Sequence, residues 1–181
     1  MPASPEAALP SPTMPAHARA SKPDGLRLIA FDADDLAVVS AYVQDAVART
    51  GAIEWRPRHK RMTIPLHRYA WERGEAAKAG LRRLSILRID RVEHVRSRAI
   101  DQAGLGAGGT GGTGGDDGDG AVVSLLALSF SPAGDGEAGG TLRIVCAGQA
   151  EMELRVEALE VRLADTDAAW SATGRPRHED R

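Results

Sequence analysis

The sequence predicts an α+β protein: a mainly antiparallel, curled sheet of about six to seven strands with one long N-terminal helix packed on it. Three observations carry that prediction. A single helical apolar stripe stands near the start, and most of the later apolar segments are short runs with a period of two. Nothing repeats the strand-helix-strand order of a parallel sheet. A roll of pleckstrin-homology type is one way to close such a sheet, by architectural analogy alone.

Taken in order, Leu26 to Phe31 is a short apolar run that reads as a strand. Asp32 then suits a helix N-cap, with Asp34 and Asp35 in the first turn, where the helix dipole favours negative charge. Leu36, Val39, Val43, Ala46 and Val47 recur at spacings of three and four, so the helix is expected to run to about Arg49 and stop at Gly51. Ile53 to Arg56 and Arg61 to Leu66 flank the polar tip Pro57-Arg58-His59-Lys60, which has hairpin length. Pro65 cannot donate to a ladder and points to an edge strand.

Leu81 to Ile100 fits one long bulged strand, with a helical reading left open from 91 to 100. In that run Leu84 and Ile86 share one face and Leu87 and Ile89 the other. Ala121 to Ser131 suits a central strand, and Thr141 to Ala147 alternates cleanly with Leu142, Ile144 and Cys146 on one side. Gly148 supplies a turn. Glu151 to Leu163 changes parity before Leu159, which either a bulge or a helix over 157–163 explains. From Asp167 an irregular tail is expected to dock through Trp170.

Residues 1–25 hold six of the ten prolines and read as a disordered leader, and residues 171–181 read as a tail. Residues 102–120 hold ten of the twenty glycines and read as a flexible insertion in a single domain spanning 26–170. With 181 residues, 43% hydrophobic and 27% charged, one core is the limit; at 4% aromatics it must be mostly aliphatic, anchored by Trp55, Trp71 and Trp170.

Cys146 is the only cysteine, which excludes an intrachain disulfide and a thiolate metal cluster. No secretory signal pattern and no long apolar run is present, so a cytoplasmic location is expected. The net charge of -2 hides an asymmetry. Arg49 to Arg98 holds fourteen Lys or Arg against five Asp or Glu, whereas Asp116 to Trp170 holds three against eleven. The two regions can attract each other in the fold or present a basic face to an anionic partner.

The strings LRLIAFDADDLAVVSAYVQDAV, RVEHVRSRAID, VSLLALSF and ELRVEALEVRLAD resemble stretches of an uncharacterised bacterial family, the domain of unknown function 2948. The likeness runs from Leu26 to about His178 and departs at the glycine insertion. It implies a single small domain and carries over no activity, cofactor or site residue.

Chemistry-bearing patterns are few. Gly104, Gly106 and Gly109 match a dinucleotide glycine spacing, but more glycine follows instead of a helix. His59, His67 and His94 lack zinc-site spacing, Cys146 alternates with core residues, and no serine sits in a nucleophile elbow. Glu157, Glu160 and Asp165 read as a solvated acidic ladder. No catalytic, metal or cofactor residue is assigned. The one cluster above background is basic: Arg56, Arg58 and Arg61 around the hairpin tip beside Trp55, and Arg96 with Arg98. If these converge, guanidinium forks and a stacking indole can hold phosphates and a base. The favoured reading is a non-enzymatic binding module with a protein partner. RNA or phosphate binding through those arginines is the alternative, and an enzyme with a site assembled only by folding is the third.

Overall fold

The structure is a computed structural model and describes residues 25–73, 81–100, 106–107 and 120–171. All but Gly25 of the leader expected over 1–25, most of the glycine-rich stretch expected over 102–120, and all but Ser171 of the tail expected over 171–181 lie outside them.

β1 (Arg27–Ala30) leads into α1 (Ala33–Val43). The Asp32 carboxylate accepts the Asp35 amide at 2.8 Å, capping the helix as its sequence position predicts. Leu36, Val39 and Val43 turn inward. The helix is eleven residues long, not the expected seventeen or so. Asp45 takes a left-handed φ of 59°, a conformation Asp tolerates, and its amide donates to the Leu125 carbonyl. Leu125 in turn donates to Ala46, so a strand claims the backbone that would continue the helix. Ala46 and Ala48 are still buried, but by the period-two alternation of β2 (Val47–Arg49). The stripe was ambiguous because Ala46 satisfies both periods.

β3 (Glu54–Arg56) and β4 (Arg61–Tyr69) form the expected hairpin, closed by a 3-10 turn over Pro57–His59 and by Lys60 at a φ of 47°. β4 is not an edge strand. β5 (Leu81–Ile89) pairs along one flank, and β3 and β2 pair along the other. Pro65 falls between the β3 and β2 ladders, so its missing donor removes no bond from that flank.

The expected long bulged strand is instead two strands. β5 ends at Ile89, Arg91 takes a φ of 61°, and β6 (Val92–Arg98) leaves to pair with β10 at the far end of the sheet. β7 (Gly106–Ala107), inside the glycine-rich stretch, pairs parallel with β3. β8 (Val122–Pro132), β9 (Gly140–Cys146) and β10 (Glu151–Val156) follow as a meander. The parity change near Leu159 is neither a bulge nor a helix. The chain turns after Val156, and β11 (Val161–Ser171) crosses to lie between β1 and β5. The segment from Asp167 to Ser171 belongs to that strand, where an irregular tail was expected.

The α+β expectation is therefore overturned. Among the described residues, one eleven-stranded, almost wholly antiparallel sheet carries a single short α-helix, where six or seven strands and a long helix were expected. The path runs β1-β11-β5-β4-β2-β8-β9-β10-β6. β8 joins its two halves: Val122 to Ser124 pair with β2, and Leu125 onward pairs with β9. The inner faces of both halves contribute to one aliphatic cluster, which includes Leu36, Ile64, Leu87, Leu125, Ile144 and Leu163. α1 packs against β8 and β1, and its Ser40 hydroxyl accepts the Leu128 amide on the flank that β2 leaves unpaired.

Candidate functional site

The arginines nominated from sequence do not form one site. Arg56 is paired with Glu54, Arg61 with Asp90 at 2.8 Å, and Arg98 with Glu151 at 3.0 Å. Trp55 is half-buried and packs against the core. The Val92 amide donates to the Lys60 carbonyl, so β6 starts at the hairpin tip. Arg96 and Arg98 lie four and six residues further along, about 13–20 Å away at strand rise. Arg58 lines a charged hollow with Lys60, Arg91, Glu157 and Glu160, whereas Arg96 and Arg98 line another with Arg143, Glu151 and Glu153.

The basic middle of the chain is largely spent on its acidic end. Lys60 bonds Glu157, Arg91 bonds Glu160, and Arg68 bonds Asp165. Arg143 contacts Glu151 and Glu153 within the acidic region itself.

The outer faces of the two sheet halves differ in kind. On β6, β10 and β9, register sets Arg98 beside Glu151, Arg96 and Arg143 on either side of Glu153, and His94 and Thr141 on either side of Arg155. Polar groups fill this face, as expected of an antiparallel sheet turned to water.

On β2, β4, β5 and β11 the outward residues are different. One cross-strand row sets Val47 beside His67 beside Leu84, and the next sets Pro65 beside Ile86 beside Ala164. Val47, Pro65, Leu84 and Ile86 are half-buried, and Val122 at the margin is 61% exposed. A hollow of about 380 Å³ opens among Val47, Pro65, His67, Leu84 and Val122. The frame is arginine: Arg27 stands opposite Ala164, Arg49 opposite Val122, and Arg88 opposite Arg162. Arg82 stacks 4.0 Å over the Tyr69 ring and donates to the His67 carbonyl. Burial, together with the charges of Arg82 and Arg49, holds the His67 imidazole below its ordinary pKa.

Sequence reasoning missed this face, although its signal was present. Strand β5 reads LRRLSILRI, apolar on both parities, which marks a strand that buries or docks both faces.

Beneath it lies an ionic knot. Arg68 donates all five guanidinium protons: two bonds to Asp165, two to Glu72 and one to the Tyr69 carbonyl. Asp165 also accepts from Ser85 at 2.6 Å and from the Leu26 amide at 3.0 Å. Burial pushes the Asp165 carboxyl up, but the hydrogen bonds from Arg68, Ser85 and Leu26 outweigh it and hold it below the usual range. Such saturation serves structure. No described trio of His, Cys, Asp or Glu has a metal-holding arrangement.

Fold and surface together define a mostly antiparallel β protein with one polar outer face and one apolar, arginine-framed outer face. The chain belongs to the family described as "Protein of unknown function (DUF2948)", whose model matches residues 26–107 and 113–178. The match extends into the glycine-rich stretch, so the departure from the family is narrower than the sequence led us to expect. No curated protein and no solved structure matches.

Proposed function

We propose that the protein is a docking module whose outer β2-β4-β5-β11 face receives an acidic protein segment carrying apolar side chains. One observation carries this reading. The centre of that face is apolar where the other half of the same sheet is polar, and the charges around it are arginines. Apolar side chains of the partner would cover Val47, Pro65, Leu84 and Ile86, and its carboxylates would meet Arg27 and Arg49. Within the chain, Arg88 pairs with Asp90 and Arg162 with Glu160. The pairing of Arg56, Arg61 and Arg98 within the chain weighs against phosphate binding at the hairpin.

No helix among the described residues is long and apolar enough to cross a membrane. A cytoplasmic setting goes with the docking reading, supported by a lone, free and buried Cys146.

The test is an NMR titration of the full chain with a synthetic peptide alternating Glu and Leu, beside a Lys-Leu peptide and an RNA oligonucleotide. The acidic peptide should shift the Leu84 and Ile86 methyl signals and raise the His67 pKa, and Leu84→Asp should abolish both effects. Equal response to the basic peptide would overturn the reading. A tighter, steeply salt-dependent response to RNA would replace it with phosphate binding.

A further inference from the structure

We propose that two copies of this chain pair antiparallel through β1, joining their sheets across a two-fold axis at Ile29. Among the described strands, β1 ends the path and pairs with β11 alone. The Leu26 carbonyl accepts the Asp165 amide, so alternation turns the backbone groups of Leu28 and Ala30 toward β11. The N–H and C=O groups of Arg27 and Ile29 point the other way, where no described strand lies. A row of unpaired backbone groups is a template for another strand.

The two ends of the sheet are treated differently. At the far end, β6 pairs with β10 through a register shift between Arg155 and Val156, and it exposes Glu93, Arg96 and Arg98. Bulges and charges of this kind discourage edge pairing. β1 has an unbroken register, no proline and a single charge, Arg27 at its start, and Ile29 within it and Phe31 just after it are 50% and 61% exposed.

The occupant is a second copy because this edge complements itself. Antiparallel alignment centred on Ile29 sets Ile29 against its own counterpart and Arg27 against Phe31 of the other copy. The outward-pointing backbone groups of Ile29 then fall in a hydrogen-bonded pair position, and those of Arg27 face the residue just beyond the end of β1 in the other copy. Each Arg27 guanidinium gains an aromatic face, with Asp32 next in sequence to balance its charge. Such an interface is closed and isologous, so it stops at two. The inference shares Arg27 with the docking face but rests on the β1 edge, and its test, the mass of the chain alone, is read without any peptide.

Sedimentation equilibrium of the full chain, across a concentration series reaching millimolar, tests it. The apparent mass should double at the high end. Ile29→Lys should hold the chain at the monomer mass with an unchanged circular dichroism spectrum, because that side chain is half exposed already. A wild type that stays monomeric throughout, or an Ile29→Lys variant that dimerises equally, overturns the proposal. Ile29→Cys should also be captured as a dimer by a short bis-maleimide, since the native Cys146 is buried. Leu126→Cys, exposed on β8, should remain uncrosslinked; equal capture at both positions counts against the two-fold at Ile29.

Discussion

The Arg68 Nη2 atom lies 2.7 Å from Asp165 Oδ2, and neither side chain is exposed to solvent. The pair ties β4 to β11 across 97 positions of sequence, and Ser85 on β5 completes the link between them. Removing Asp165 leaves the buried Arg68 guanidinium with Glu72, itself partly exposed, as its remaining carboxylate partner. Asp165→Ala should therefore cost about 3–5 kcal/mol, read from urea unfolding. The double variant Arg68→Met with Asp165→Leu should recover a large part of that loss. A single variant within error of wild type would show that the pair contributes no net stability.

Acid should weaken the fold in two stages. In Asp165, Glu72 and Asp90, burial raises the carboxyl pKa, but bonds from arginine outweigh it and the net shift is downward. The unfolded chain then binds more protons than the folded one as pH falls through about 4, so stability present above that range is lost below it. His67, also shifted downward, starts a shallower decline near pH 6.5, where only the unfolded chain protonates. Melting temperature against pH checks both limbs; a flat profile from pH 7 to 3 contradicts them.

Cys146 should be silent in the folded protein. Burial pushes its thiol up to about 11, leaving little thiolate at pH 8. Ellman's reagent should release one equivalent only after denaturant is added. Rapid release from the native chain would mean that β9 opens readily.

Gly140 should tolerate no side chain. A Cβ there would lie 2.3 Å from the Ser131 carbonyl oxygen and 2.8 Å from Pro132 Cα. Both are backbone atoms, which cannot swing aside as a side chain can. Gly140→Ala should cost about 1–3 kcal/mol by overpacking, measured as a fall in melting temperature.

The cationic frame can be read at His67 itself. Arg82→Ala and Arg49→Ala should each raise its pKa in an NMR pH titration, since each removes a positive charge that opposes protonation. The value should stay below the ordinary one, because burial, the largest cause, remains. No movement in either variant would place those charges out of range of the imidazole.

Much of this architecture was legible in the residues. The Asp32 cap, the Pro57 to Lys60 hairpin and the inward set of Leu142, Ile144 and Cys146 all follow from local chemistry. Misreadings occurred where one pattern served two structures. Ala46 fits a helix and a strand alike, and the break at Arg91 carries neither Gly nor Pro to announce it. The pairing of the arginines was illegible for a different reason. Whether Arg61 or Arg98 is available depends on Asp90 and Glu151, whose placement beside them only the fold decides. The apolar outer face needed register across four strands, which no local pattern encodes.

The clasp between β1 and β11 bears on how the molecule is made. A chain leaving the ribosome presents Arg27 to Ala30 first and Val161 to Ala164 among its late segments, yet these strands are neighbours. Until the late strand emerges, Arg68 lacks its innermost counter-ion and the early strand lacks its only described ladder. The native state is thus withheld from any incomplete nascent chain that stops short of Asp165. Translation must run almost to the end of the domain before folding can close.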